Sequence, residues 1–171
     1  KRVAKELGEK LNINQILAYL LIRRGITTES GAKRFFHPQL ADLNNPFLMK
    51  DMDVAVDRLN DAMGRKERIL VYGDYDVDGC TAVAPGYRFL QQFYSNIEYY
   101  IPNRYNEGYG VSKIGIDYAH ENGIKLIIIL DCGIKAVEEV AYAKSLGIDF
   151  IICDHHVPDD VLPPAVAILN P

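Results

Sequence analysis

The amino-acid sequence predicts an α/β fold: a doubly wound, mostly parallel five-stranded sheet with flanking helices, preceded by a small helical N-terminal segment. Two observations predict the sheet. Helical patterns alternate with short apolar runs through residues 69–171, and the runs at residues 127–130 and 150–152 contain no polar side chain. Alternating strands and helices are typical of parallel sheets, and unbroken apolar runs are typical of strands that are buried on both faces.

The N-terminal part of the chain is predicted to be helical. Residues 12–24 place apolar side chains at helical spacing, and a second short helix is expected to end near Phe36, before a proline. Residues 39–50 contain two prolines and no steady period, which indicates a linker. We therefore predict a helical N-terminal segment with its linker at residues 1–50 and an α/β domain at residues 51–171.

The α/β domain is predicted to begin with an amphipathic helix over about residues 51–65. Strands are expected at residues 69–73, 97–101, 126–130, 149–153 and 166–169. Helices are expected between them, near residues 80–94, 112–122 and 134–146. Pro85 and Gly86 fall inside the first of these three helices. Because a helical proline removes one backbone hydrogen bond, we expect a kink or an irregular turn there.

Composition restricts the class of protein. The chain has 171 residues, 49% of them hydrophobic, and a net charge of -4. Residues 1–68 carry 13 basic and 9 acidic side chains, whereas residues 69–171 carry 6 and 14. An acidic balance argues against a protein that simply coats nucleic-acid phosphates, although an acidic metal pocket would give the same count.

Location and redox state can also be predicted. The chain has no apolar run of about eighteen residues and no signal-peptide pattern, so we expect a cytoplasmic protein without membrane contact. The three cysteines, Cys80, Cys132 and Cys153, are an odd number without zinc-type pairing. Reduced thiols are therefore expected rather than disulfides.

Acids and histidines follow the predicted strands at the points where the strands end. Asp74, Asp76 and Asp78 follow the first strand, Asp131 follows the third, and Asp154, His155 and His156 follow the fourth. These ends meet at one edge of a parallel sheet, and three carboxylates within five residues repel one another unless a cation is present. An EF-hand is excluded because Pro85 occupies the position of its final glutamate.

A divalent-metal site is therefore predicted at this edge. Carboxylate and imidazole ligands suit manganese or magnesium, and zinc stays open. Four or more ligands can hold two ions, an arrangement typical of enzymes that hydrolyse phosphate esters or anhydrides. After the second strand, Arg104 and the glycine-rich Gly108-Tyr109-Gly110 precede a helix that Ser112 caps. Backbone amides and an arginine in this arrangement indicate a phosphate clamp.

Five motifs occur in order: VYGDYDVDG at residues 71–79, IPNR at 101–104, EGYG at 107–110, DCG at 131–133 and DHH at 154–156. With these motifs the chain resembles the DHH phosphoesterase family, and within it the bacterial exonucleases specific for single-stranded DNA. The resemblance covers essentially the whole chain. It implies a DHH phosphoesterase domain that is truncated at its C-terminal end, so that the isolated chain is expected to be inactive.

The resemblance also implies roles for individual residues. The implied metal ligands are Asp76, Asp78, Asp131 and His155, with Asp74 and Asp154 as supporting or additional ligands. His156 would contact the scissile phosphate, and the residues implied to hold the DNA backbone are Arg104, Gly108, Tyr109 and Gly110. The implied activity is degradation of single-stranded DNA from 5′ to 3′ in repair and recombination, with two Mn²⁺ or Mg²⁺ ions. Implied partners besides DNA are a single-strand-binding protein and a helicase.

Two other interpretations stay open. The chain could belong to another DHH phosphoesterase that acts on oligoribonucleotides, cyclic dinucleotides or pyrophosphate. Tyr72 argues against a pyrophosphatase, because the pattern of those enzymes has a histidine at this position. The other interpretation is a non-catalytic module that binds a metal or a nucleotide, which the complete set of acids and histidines disfavours.

Overall fold

The computed structural model describes residues 2–171, which divide into two compact units, one ending at Asn45 and the other spanning Pro46–Pro171. The described part of the first unit contains three α-helices, α1 (Arg2–Leu11), α2 (Gln15–Arg23) and α3 (Glu29–Phe36), and a short 3-10 helix at Leu40–Asp42. They enclose a small core made of Ala4, Leu7, Ala18, Leu21 and Ala32. The division falls a few residues before residue 50, where we placed the domain boundary, and that boundary stays a prediction.

Helices α2 and α3 lie where the sequence predicts them, whereas α1 was missed. The Asn14 carboxamide caps α2 by accepting a hydrogen bond from Ile16 N at 2.8 Å, and the Thr28 hydroxyl caps α3. The buried positions of α1 include Ala4 and Leu7, which share one helical face. The buried apolar residues of α2, Ala18 and Leu21, are also three positions apart, but the segment of α1 carries more charged side chains.

The second unit carries the sheet. Its strands are β1 (Arg68–Gly73), β2 (Ile97–Tyr100), β3 (Ile124–Leu130), β4 (Asp149–Cys153) and β5 (Ala167–Leu169). All neighbouring strands are parallel, and their order across the sheet is β2-β1-β3-β4-β5. The predicted five-stranded α/β fold is confirmed, with a sheet that is wholly rather than mostly parallel.

Helices cover both faces of the sheet. One face packs against α4 (Met52–Gly64) and α5 (Val77–Leu90), and the other against α6 (Lys113–Glu121) and α7 (Val137–Ser145). The chain leaves β1 toward β2 on one side and returns to β3 on the other. The carboxyl ends of β1 and β3 therefore form a topological switch point, where open parallel sheets bind their ligands.

Helix α5 differs from the prediction at both its start and its middle. It begins at Val77 rather than near residue 80, and it runs without interruption past Pro85. The expected irregular turn is therefore wrong, and the expected kink stays a prediction. Pro85 leaves the carbonyl of Thr81 without its helical donor, but both residues are exposed, so water can bind this carbonyl.

The cysteines are free thiols in different surroundings. Cys80 is exposed, Cys132 is buried and Cys153 is partly buried. Burial raises the pKa of Cys153 to about 11 and also raises the pKa of Cys132.

Among the helices of residues 2–171, none combines the length and the apolar character that crossing a membrane requires.

Candidate active site

Asp74 is the first residue beyond β1, and its side chain is fully buried. Its Oδ1 atom accepts a hydrogen bond from the Gly110 amide at 3.2 Å. Its Oδ2 atom is also buried and has no hydrogen-bond partner within residues 2–171. Leaving a buried acceptor unsatisfied costs roughly 1–3 kcal/mol, and more when the group is charged. This oxygen is therefore suited to a cation.

Asp76 and Asp78 stand at the start of α5. The Asp76 carboxylate caps the helix by accepting a hydrogen bond from Gly79 N at 2.8 Å, and Asp78 lies exposed in the first turn. Acids are favourable here because the helix dipole is positive at this end. A Cβ on Gly79 would lie 2.5 Å from Asp74 O, so only glycine permits this close approach of helix and strand.

Side chains from the ends of β3 and β4 meet at Asp131 and His155. Oδ1 of Asp131 lies 3.1 Å from His155 Nε2. The Asp131 backbone has a φ of 64°, in the left-handed region, which aspartate tolerates better than most residues. Its amide donates to Cys153 O at 2.8 Å, which continues the pairing of the two strands. Parallel pairing thus brings together two residues that are distant in the sequence.

Asp154 and His156 form a second pair. The buried Asp154 carboxylate lies 2.7 Å from His156 Nδ1 and accepts backbone hydrogen bonds from Ile134, His155 and His156. Burial opposes ionisation of Asp154, but these hydrogen bonds outweigh it and lower the pKa of the carboxyl. The hydrogen bond to Asp154 in turn raises the pKa of His156. Asp154 is therefore held as an anion that fixes the His156 ring.

The predicted clamp lies beside His156. The ring centroid of Tyr109 is 6.5 Å from that of His156 and 6.3 Å from that of Tyr75, edge-on in both cases. The Arg104 guanidinium lies over the Tyr75 ring, 5.3 Å from its centroid. Burial, followed by the charge of Asp74, raises the pKa of Tyr109 to about 12, so its hydroxyl stays neutral.

A cavity of about 310 Å³ opens between this loop and the segment that follows β3. Tyr109 and Gly110 line one side of the cavity, Gly133 lines another, and Asp154 and His156 complete it. Gly110 has a φ of +81°, a conformation that residues with a side chain rarely adopt. Gly108, with a φ of +82°, gives the loop its other left-handed turn.

The predicted site residues lie at one edge of the sheet, but they form pairs rather than one cluster. Within residues 2–171, no three side chains of histidine, cysteine, aspartate or glutamate are grouped so as to hold a metal ion. Besides the hydrogen bond to Asp154, the charges of Asp154, Asp131 and Asp76 all raise the pKa of His156. The negative charges of these three acids thus favour the protonated form of the His156 imidazole. Which residues bind a metal stays a prediction.

Two residues that hold the clamp in place, Tyr72 and Glu107, had no structural role predicted from the sequence. The Tyr72 hydroxyl donates to Gly110 O at 3.0 Å, and the Glu107 carboxylate accepts from Asn103 N at 2.6 Å. One signal was present: Tyr72 lies only two positions before Asp74, at the end of β1. Glu107 belongs to the EGYG motif, but the motif did not indicate which groups its carboxylate would bind.

A sequence model described as the DHH family, N-terminal domain, matches residues 68–171. The chain belongs to the DHH family. The matched range begins at β1 and contains every strand of the sheet and every predicted site residue. The DHH triplet itself, Asp154-His155-His156, directly follows β4.

Several DHH-family proteins are similar to this chain. The single-stranded-DNA-specific exonuclease RecJ of Bacillus subtilis (strain 168) is 43% identical over 167 residues, which are 98% of this chain and 21% of that protein. RecJ of Escherichia coli (strain K12) is 43% identical over 124 residues, which are 72% of this chain and 22% of that protein. The chain thus spans about a fifth of the length of these curated relatives.

Solved structures of DHH-family exonucleases share the fold. A crystal structure of exonuclease RecJ bound to manganese matches with a TM-score of 0.68 and 32% identity, covering 75% of this chain and 33% of that one. The structure of RecJ from Thermus thermophilus in complex with Mn²⁺ has a TM-score of 0.72 and 26% identity, covering 99% of this chain and 23% of that one.

Proposed function

We propose that this DHH-family chain is part of a metal-dependent phosphodiester hydrolase that degrades single-stranded DNA from 5′ to 3′. One observation carries the proposal: carboxylates and imidazoles lie at the ends of three neighbouring parallel strands and form pairs there, such as Asp131 and His155, 3.1 Å apart. Such groups suit divalent metals and phosphoryl chemistry. The similarity to two relatives named single-stranded-DNA-specific exonucleases supports the choice of substrate.

The proposed metal ligands are Asp76, Asp78, Asp131 and His155, with Asp74 and Asp154 as supporting or additional ligands. One observation suits a divalent cation: the buried Oδ2 of Asp74 lacks a hydrogen-bond donor within residues 2–171. Manganese or magnesium is favoured by the oxygen-rich set, and two similar exonuclease structures contain manganese. When bound, two such ions would activate water and stabilise the negative charge that develops on the phosphoryl group.

His156 is proposed to contact the scissile phosphate. Asp154 fixes its ring through Nδ1 at 2.7 Å and favours the protonated form of the imidazole by raising its pKa. A protonated histidine donates from Nε2 as well, and charge-assisted hydrogen bonds to phosphate oxygens are stronger than neutral ones. His156 would thereby hold the phosphate and counter part of its charge.

Arg104, Gly108, Tyr109 and Gly110 are proposed to hold the substrate strand. Tyr109 is 57% exposed and Tyr105, in the same loop, is 93% exposed, so both rings can reach a base. Bases of single strands stack on aromatic rings at roughly 1–3 kcal/mol each, while arginine binds phosphates through paired donors. A clamp of this kind recognises a single strand without reading its sequence.

The cellular role is proposed from the family resemblance. It comprises DNA repair and recombination in the cytoplasm, with single-stranded DNA as substrate and with a single-strand-binding protein and a helicase as further partners. Pull-down of these partners with the intact protein, compared with a mock sample, would test that part of the proposal. Failure to retain either partner would contradict it.

The experiment that tests the activity uses the full-length protein with manganese and four substrates: 5′-labelled single-stranded DNA, an oligoribonucleotide, pyrophosphate and a cyclic dinucleotide. We expect rapid digestion of the DNA, and a loss of at least about a hundredfold in Asp131→Asn, because a proposed metal ligand is weakened. Asp61→Asn, at an exposed carboxylate that pairs with Arg65, serves as the matched control. Preferred turnover of another substrate, or full activity in Asp131→Asn, would overturn the proposal.

A further inference from the structure

Within the segment between β2 and α6, the loop of residues 103–112 is tied together by the carboxylate of Glu107. Oε1 accepts a hydrogen bond from Asn103 N at 2.6 Å, at the start of the loop. Oε2 accepts one from the Tyr100 hydroxyl at 2.9 Å and another from the Ser112 hydroxyl, at the end of the loop. One side chain therefore joins the two ends of the loop to each other and to β2.

Tyr72 anchors the same loop from β1. Its side chain is fully buried, and its hydroxyl donates to Gly110 O at 3.0 Å and accepts from Ser112 N at 3.2 Å. The ring stacks on Tyr100 with centroids 5.3 Å apart, and Gly115 leaves room for it, since a Cβ there would lie 2.7 Å from Tyr72 Cε2. Burial raises the pKa of Tyr72 to about 12, so the hydroxyl keeps its proton.

Gly110 links this anchor to Asp74. Its carbonyl is held by Tyr72 and its amide by Asp74 Oδ1, so both polar groups of the residue are bonded to the end of β1. The bond to the amide fixes the rotation of the Asp74 carboxylate. The second oxygen of that carboxylate, Oδ2, then has a defined direction and no hydrogen-bond partner within residues 2–171.

We infer that Tyr72 and Glu107 are positioning residues that keep the Gly110 amide on Asp74 Oδ1 and so orient Oδ2 for a divalent cation. The part of this inference that concerns the cation rests on the proposed function. By holding the loop, they also keep Tyr109 beside His156, with ring centroids 6.5 Å apart.

Tyr72→Phe tests the inference because it removes the hydroxyl and keeps the ring. Hydrogen–deuterium exchange at the Gly110 amide is measured in the intact, metal-free protein, and manganese affinity is measured by calorimetry. We expect exchange at Gly110 to become roughly threefold to tenfold faster, as for the loss of about one hydrogen bond, with the amides of β3 unchanged. The dissociation constant for manganese should rise by a similar factor.

Tyr142→Phe is the matched control, since it removes a hydroxyl that donates to Asp117 at 2.7 Å in another part of the domain. Both readouts should keep their original values in this variant. Glu107→Gln is a second test variant that retains the size of the side chain, and it should also accelerate exchange at Gly110. It keeps the inference testable if Tyr72→Phe does not fold.

The outcomes separate the inference from the proposed function. Unchanged Gly110 exchange in both test variants would overturn the positioning role, whatever the nuclease activity. Faster exchange with an unchanged manganese affinity would overturn the link to the cation. Faster exchange in a protein that binds no manganese before substitution would support the positioning of the loop and overturn the proposed function.

Discussion

Tyr72 and Asp74 bind the two backbone polar groups of Gly110. The Tyr72 hydroxyl lies 3.0 Å from the Gly110 carbonyl oxygen, and the Asp74 carboxylate lies 3.2 Å from the Gly110 amide nitrogen. Tyr72 lies in β1 and Asp74 directly follows the strand, so both side chains reach Gly110 from the same strand end. The end of β1 thus supplies both Asp74, one of the acids of the site, and Tyr72, which anchors the loop of residues 103–112. The position of the loop is coupled to the orientation of the acid.

The turn between β1 and α5 is expected to be intolerant of any side chain at Gly79. A Cβ there would lie 2.5 Å from Asp74 O and 2.7 Å from Asp74 N, both backbone atoms that cannot move aside. We expect Gly79→Ala to lower the free energy of unfolding by about 1–3 kcal/mol, as overpacking does, measured by denaturant unfolding.

Gly64→Ala is the control for this prediction. Gly64 lies in α4, has no neighbouring atom within 4 Å of a built Cβ, and should gain up to about 1 kcal/mol from its higher helix propensity. Equal effects of the two substitutions would show that close packing at Gly79 does not matter.

Arg58 is expected to contribute to stability at the opposite edge of the sheet. Its guanidinium lies 2.7 Å from both Glu67 and Asp149, and its side chain is only 13% exposed. Arg58→Ala should destabilise the fold by about 2–4 kcal/mol, because it removes the nearest cation from two partly buried carboxylates. Thermal and denaturant unfolding would measure this change.

The comparison for Arg58 is Arg65→Ala, which breaks a 3.3 Å pair with Asp61 and a longer, 3.8 Å pair with Glu67, on a side chain that is 66% exposed. Solvent-exposed pairs contribute little, so we expect a change below about 1 kcal/mol. A loss for Arg65→Ala as large as that for Arg58→Ala would contradict the assignment of Arg58 as a buried anchor.

The cysteines should differ in reactivity. Cys80 is exposed, whereas burial protects Cys132 and Cys153 and raises the pKa of both thiols, to about 11 for Cys153. Since the thiolate is the reactive form, a maleimide at about pH 8 should label Cys80 first and the other two only after unfolding. Mass spectrometry of Cys80→Ser, which should remove the fast label, checks the assignment. Fast labelling of Cys132 in the folded protein would refute it.

Much of the fold could be predicted because the apolar runs of the strands are local signals. Strand β4 begins and ends where the sequence places it, since its core is an unbroken run and an acid follows directly. Helix α1 was missed because its few apolar residues, such as Leu7, lie among charges. The irregular turn expected at Pro85 was wrong, because α5 continues despite the loss of one helical hydrogen bond at Thr81, a residue that is exposed.

The residues of the candidate site could be predicted from the sequence, but the hydrogen bonds between them could not. Strand ends of a parallel sheet meet at one edge, so Asp131 and the DHH triplet could be placed together from sequence alone. The bond between Gly110 and Asp74 joins residues 36 positions apart and depends on the path of a loop that has no periodic pattern. For the same reason, the three backbone donors that hold Asp154 could not be foreseen.

The measurement that tests the proposed metal site most directly is anomalous diffraction from crystals of the full-length protein grown with manganese. We predict manganese peaks at the carboxyl ends of β1, β3 and β4, coordinated by side chains from the set Asp76, Asp78, Asp131 and His155. Crystals of Asp131→Asn should show weakened peaks under the same conditions. Manganese bound elsewhere, or these four side chains free of metal at saturating concentration, would contradict the proposal.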